Sequence, residues 1–206
     1  MLWLATLQRA MGRASHDVRD ALNGVSVNLE VIRGRAARPD TPATAVASFA
    51  DASAHQLERL SSLIEAMLAL GRAERQPADV VVTLRRVATL CGASASSADA
   101  AVTVDQGDVE AAATSIRGDA LRLALAAPLL ELVAGSDRAA RATPVQCVVR
   151  AAQGDTVVTL AAAGRYASMP GAVADVVRAA GVRWVDGGRG SAAGGTNDLS
   201  LVFPRA

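Results

Sequence analysis

The chain contains no lysine: its 21 basic residues are all arginine, set against 20 acids for a net charge of +1. No sustained run of one sign interrupts this balance, so the sequence lacks the basic surface with which a protein engages nucleic acid or an anionic membrane. Aromatic residues make up only 2% of the chain, too few for stacking on bases or sugars to be its main activity. No apolar run approaches the roughly 18 to 20 residues that span a bilayer. The opening "MLWLATLQRAMGR" is broken by Gln8 and Arg9 too early for a signal peptide, and a soluble, unanchored protein is expected. The only two cysteines, Cys91 and Cys147, lie far apart without metal-type spacing. They read as reduced, buried thiols of a cytoplasmic protein.

What the chain has is aliphatic: 51% of its 206 residues are hydrophobic, enough to build one large or two small domains around a core of Ala, Val and Leu. From Leu4, apolar or small residues recur at Leu7, Met11, Ala14, Val18, Ala21, Val25 and Ile32, with Leu22 and Leu29 widening the stripe. This spacing of three and four is a heptad seam. It ends near Gly34, after which "ARPDTPA" supplies a turn where Thr41 can cap a new helix with Pro42 at its first position. A second seam runs through Val46, Phe49, Ser53, Leu57, Leu60, Leu63, Ile64, Met67 and Leu70. Residues 1 to 75 thus read as a helical hairpin. Two helices cannot enclose so wide a stripe, and a second copy of the chain, giving a four-helix bundle across a two-fold axis, is the simplest remedy.

After Pro77 the pattern changes. β-like runs at 101–105, 145–152 and 156–163 alternate with helical stretches at 79–92, 118–134 and 171–180, and Leu199, Leu201 and Phe203 alternate along a last strand. Residues 76 to 206 are expected to form an α+β sandwich with helices on one face. Trp3, Trp184 and Phe203 read as core or interface fillers. The cluster "DGGRGSAAGGT" lacks the Gly-x-x-x-x-Gly-Lys-Ser/Thr pattern and reads as a loop, and Arg183 and Arg189 are undistinguished among the arginines.

Chemistry concentrates in "SHDVRDALNGV", residues 15 to 25. If Leu4, Met11, Val18, Val25 and Ile32 share heptad position a, His16 and Asn23 fall at f, on the outside, with Arg19 and Asp20 at b and c. Alone, an exposed histidine is an ordinary solvated side chain, and His55 on the second helix is read so. At His16 a carboxylate follows at once: Asp17 is placed to accept the Nδ1 proton and leave Nε2 free to attack. Arg19, Asp20 and Asn23 complete a polar patch suited to a docking partner that brings the electrophile. A helix surface holds no oxyanion hole and no metal cluster, so the electrostatic help must come from that partner.

This string resembles the phosphoacceptor box of two-component histidine kinases, with alanine at position 21 where proline is common. The resemblance implies a phosphoacceptor role for His16 and an acid/base role for Asp17, and it makes the hairpin similar to the dimerisation and histidine-phosphotransfer domain. "PADVVVTLRRVATLCGASASSADAAVTVDQGD", "RGDALRLALAAPLLELVAGSD" and "GGTNDLSLVFPRA" resemble in turn the lead-in, first main helix and closing strand of the family's ATP-binding domain.

The departures bear on function. Where the family places a Mg²⁺-holding asparagine, "LLELV" has Leu132, whose alkyl side chain cannot ligate a hard cation. Where an aspartate and its glycine turn bind adenine, "LAAAGRY" has Ala161 to Ala163 and a single Gly164, and the second glycine turn has shrunk to "SMPGAV". The resemblance therefore implies a degenerate domain that keeps the fold without a nucleotide, so no cofactor is expected on this chain. The expected activity is histidine phosphotransfer between receiver-domain aspartates of response regulators through His16, with Mg²⁺ on the receiver. An ATP-dependent histidine kinase and a non-enzymatic dimeric scaffold are the alternatives.

Overall fold

The computed structural model describes residues 2–40, 42–72, 77–92, 101–134, 144–186 and 198–206. Thr41, Arg189 and the glycine-rich loop at 187–195 fall outside them. The architecture is α+β: a long helical hairpin followed by a mixed sheet with helices.

The first arm, α1 (Leu2–Ala36), is 35 residues long, roughly 50 Å at 1.5 Å per residue. The second, α2 (Thr44–Gly71), opens two residues later than its expected first position, Pro42. The Ala45 and Val46 amides bond the carbonyls of Pro42 and Ala43, three residues back. A tight 3₁₀-type turn thus precedes the regular helix. Arg35 pins this turn by donating to the Ala45 carbonyl and lying 4.6 Å over the Phe49 ring.

The intramolecular seam is narrower than the heptad pattern. Leu7, Ala10, Ala14 and Ala21 of α1 are buried, as are Ser53, Leu63, Ala66 and Leu70 of α2. Larger residues of the pattern stay in solvent: Leu4, Met11, Leu22 and Leu29 on α1, Leu57 and Ile64 on α2, with Leu68 beside them. Their exposure has a geometric cause, since one partner helix covers one strip of another and the apolar stripe here is wider.

Asp79 starts the sandwich. It ends β1 (Ala78–Asp79) and caps α3 (Val80–Leu90): one carboxylate oxygen accepts from the Val82 amide at 2.8 Å, the other from Ala112 at 2.7 Å. The main sheet comprises β2 (Val102–Asp105), β4 (Val145–Ala152), β5 (Asp155–Ala161), β6 (Arg183–Asp186) and β7 (Leu199–Pro204), in the order β2-β4-β5-β7-β6. Its β2–β4 pair is parallel and the others antiparallel. Val145, Cys147 and Val149, then Thr156, Val158 and Leu160, then Leu199, Leu201 and Phe203 alternate inward, toward α3, α4 (Gly118–Ala134) and α5 (Gly171–Ala179). Three short strands were not foreseen: the edge strand β6, and β1 and β3 (Ala113–Thr114), which pair over two residues; all are too short to show a period.

Of the three expected fillers, Phe203 is fully buried. Trp3 and Trp184 are half-buried and receive arginines, Arg122 at 5.9 Å and Arg178 at 4.7 Å from the ring centroids. Arg122, itself buried on α4, donates to the carbonyls of Leu70 and Arg72 at 3.1 and 2.8 Å. It satisfies the orphan carbonyls at the end of α2 while touching α1 through Trp3. One continuous core runs from Leu7, Ala10, Leu63 and Leu70 into α3, α4 and the sheet.

Candidate functional site

His16 is exposed near the middle of α1, one residue past the Ser15 hydroxyl that bonds back to the Met11 carbonyl. Arg19, Asp20 and Asn23 are also exposed. Asp20 is one turn beyond His16 and Arg19 three residues beyond it, so both share the face of the imidazole; Asn23 is two turns along. His55 is exposed on α2.

Asp17 is placed differently. It turns toward α2 and is half-buried, with its Oδ2 3.7 Å from Nη2 of Arg59; the two side chains are 23% and 38% exposed. Successive residues on a helix point about 100° apart, which sends Asp17 to the inter-helix groove while His16 points outward. Among the described residues, neither the His16 nor the Asp20 side chain makes a hydrogen bond or ion pair. Arg59 was absent from the sequence reading, because its nearness to Asp17 depends on the pairing register of the hairpin, which no local motif encodes.

The positions where the resemblance implied nucleotide-binding residues lie at the end of α4 and in the loop after β5. Leu132 is 5% exposed, packed in the core at the end of α4. Its carbonyl accepts from Nη1 of Arg165 at 2.6 Å, so an arginine from the loop after β5 caps the C-terminal end of this helix. Gly164, at φ +70°, supplies the turn that brings Arg165 there. A cleft of about 250 Å³ remains, lined by Pro128, Glu131, Leu132, Arg165, Tyr166 and Ser168. In "SMPGAV", Pro170 precedes α5, which begins at Gly171.

Both thiols are buried and free, and burial raises each to about 12. That holds them as thiols and removes them from nucleophilic chemistry. No group of three or more metal-ligating side chains occurs among the described residues, and no described helix is long and apolar enough to cross a membrane.

No protein-family model matches the chain, and no curated protein matches it. Solved structures do. The histidine kinase AdeS of Acinetobacter baumannii aligns over 92% of this chain and 98% of its own, at 12% identity and a TM-score of 0.43. The blue-light activated histidine kinase EL346 of Erythrobacter litoralis aligns over 97% of this chain and 60% of its own, at 15% identity and a TM-score of 0.40. A bacterial phosphotransferase aligns over 97% and 96%, at 12% identity and a TM-score of 0.41.

Proposed function

We propose that the chain is a histidine phosphotransferase of two-component signalling, relaying a phosphoryl group between receiver-domain aspartates through His16. The observation that carries this reading is the exposed imidazole on the outer face of α1, ringed by exposed Arg19, Asp20 and Asn23. A phosphoryl donor can reach Nε2 in line without entering a cavity.

The step needs little from this chain beyond position. The Nε2 lone pair attacks phosphorus, the P–O bond to the receiver aspartate breaks, and that carboxylate leaves with the bonding pair. The imidazole keeps its Nδ1 proton, whose positive charge a neighbouring carboxylate offsets, and the reverse step regenerates the neutral ring. The resemblance gives that acid/base role to Asp17, which in this structure lies beside Arg59. The receiver supplies Mg²⁺ and the groups that stabilise charge, while Arg19, Asp20 and Asn23 contact its surface. Leu132 supports transfer without ATP, for its side chain has no metal-ligating atom and its carbonyl is taken by Arg165. The exposed apolar residues of both arms support a homodimer in which two hairpins complete a four-helix bundle.

The test incubates the purified protein with a phosphorylated receiver and, separately, with labelled ATP and Mg²⁺, alongside His16→Ala. Acid-labile label taken from the receiver and lost in His16→Ala is the expected result. Label taken from ATP makes the chain a kinase, and no label from cognate receivers makes it a scaffold.

A further inference from the structure

We propose that Asp20, rather than Asp17, orients the His16 imidazole, and that Arg59 enforces this choice by holding Asp17 on the α2 side. The inference deepens the proposed function and rests on His16 being the reactive group.

Two observations separate the carboxylates. Asp17 is engaged, half-buried and 3.7 Å from Arg59. Asp20 is exposed and its side chain, among the described residues, makes no hydrogen bond or ion pair. Helix geometry adds direction. Residues four apart are neighbours on one face, whereas adjacent residues do not face each other. Side chains also lean toward the helix N-terminus, so the Asp20 carboxylate inclines back over the turn that carries His16. Exposed side chains sample rotamers in picoseconds to nanoseconds, so Asp20 can accept from Nδ1–H with no change in the backbone. Asp17 must first leave Arg59 and then cross a quarter-turn of helix surface. Arg19, three residues beyond His16, is the nearest cation along this face, whereas the Arg13 guanidinium reaches toward Gly92 of the sandwich. A cation there repels the imidazolium, so stabilising it falls to a carboxylate.

Asp20 is a positioning residue in this scheme: it selects the tautomer protonated at Nδ1 and keeps the Nε2 lone pair available. Arg59 is one step further removed. It keeps the competing acceptor away, so that Asp20 biases the orientation of the nucleophile.

The test needs no donor. Imidazole ¹⁵N spectra of the full chain are recorded at a pH where the ring is neutral, in a His55→Asn background that leaves one histidine. Asp20→Asn is expected to shift the tautomer ratio about twofold away from the Nδ1-protonated form, the scale of an exposed pair four residues apart. Asp20→Glu restores the ratio and Asp17→Asn leaves it unchanged. With Arg59→Gln in place, Asp17→Asn begins to shift the ratio. The proposal is overturned if Asp17→Asn moves the ratio more than Asp20→Asn does in the presence of Arg59, or if neither moves it. The four positions 17, 20, 55 and 59 lie outside the buried core, so these variants remain folded. A chain that takes no label from any receiver refutes phosphotransfer, while the tautomer measurement still decides between the carboxylates.

Discussion

α1 and α4 are both rich in aliphatic residues, yet five of the 35 residues of α1 are buried against fourteen of the 17 in α4. α4 lies between the hairpin, α3, α5 and the sheet, so every direction around its axis meets another element. α1 meets α2 along one strip and the sandwich at one end. Burial thus follows both the more polar composition of α1 and its smaller number of neighbours, and the hairpin is the region with exposed apolar side chains. The sandwich is closed by its own chain; the hairpin leaves apolar side chains in solvent.

Truncation inside the closed region has the largest expected effect. Leu129 is fully buried on α4, and Leu129→Ala is expected to cost about 2–5 kcal/mol in urea unfolding, the range for a large core side chain that leaves a cavity. A loss under 1 kcal/mol would mean that the α4 environment relaxes freely and that the contrast between the regions is weaker than the burial indicates.

Next comes the joint between them. Arg122→Met keeps the unbranched aliphatic stem of the side chain but removes the donors to the Leu70 and Arg72 carbonyls. The expected cost is about 2 kcal/mol, for acceptors left unpaired in a buried place. Amide exchange should locate the damage: the last turn of α2 loses protection while the β4–β5 amides keep theirs. Uniform loss across the molecule would show instead that hairpin and sandwich unfold as one unit.

The thiols probe the sandwich core through pH. Folded Cys91 and Cys147 hold their protons up to about 12, against an ordinary value of 9.0, chiefly because burial disfavours the thiolate. Between those values the unfolded chain binds fewer protons than the folded one. Stability therefore falls as pH rises through that window, by about 1.4 kcal/mol per pH unit for each thiol. Replacing both with alanine should flatten the difference in urea midpoints over the same window; an unchanged slope would assign the alkaline loss to other groups.

These contrasts explain what could be read from the chain before its structure. The hairpin and the strands β4 and β7 carry strong periods, and their placement was legible, as was the exposure of His16 from its place at heptad position f. Local periodicity does not reveal which partner a face meets. The split of the hairpin stripe into a buried column (Leu7, Ala14, Ala21, Leu63, Leu70) and an exposed one (Met11, Leu22, Leu29, Leu57, Ile64) follows from pairing geometry, as does the meeting of Asp17 with Arg59. Arg165 was similarly hidden: "LAAAGRY" reveals a missing carboxylate, but only the folded loop brings the guanidinium to the Leu132 carbonyl. Edge strand β6, four residues long, had no period to detect.

The smallest expected change in protomer stability belongs to the open stripe, and it sharpens the comparison most. Leu22 and Leu57 are 47% and 50% exposed, so Leu22→Glu with Leu57→Glu should alter the stability of an isolated protomer by no more than about 0.5 kcal/mol per site. The same pair of changes should abolish self-association in sedimentation equilibrium, because each charge would have to be desolvated at the centre of the bundle. The native Tm should rise with protein concentration, as mass action requires of a dimer, while that of the variant should not. If the variant sediments as the native chain does, the stripe is not the dimer seam. A variant that is monomeric and still takes label on His16 would separate the two parts of the proposed function: the outer face of α1 would suffice for transfer, and the four-helix bundle would serve only to cover the apolar surface that the hairpin leaves open.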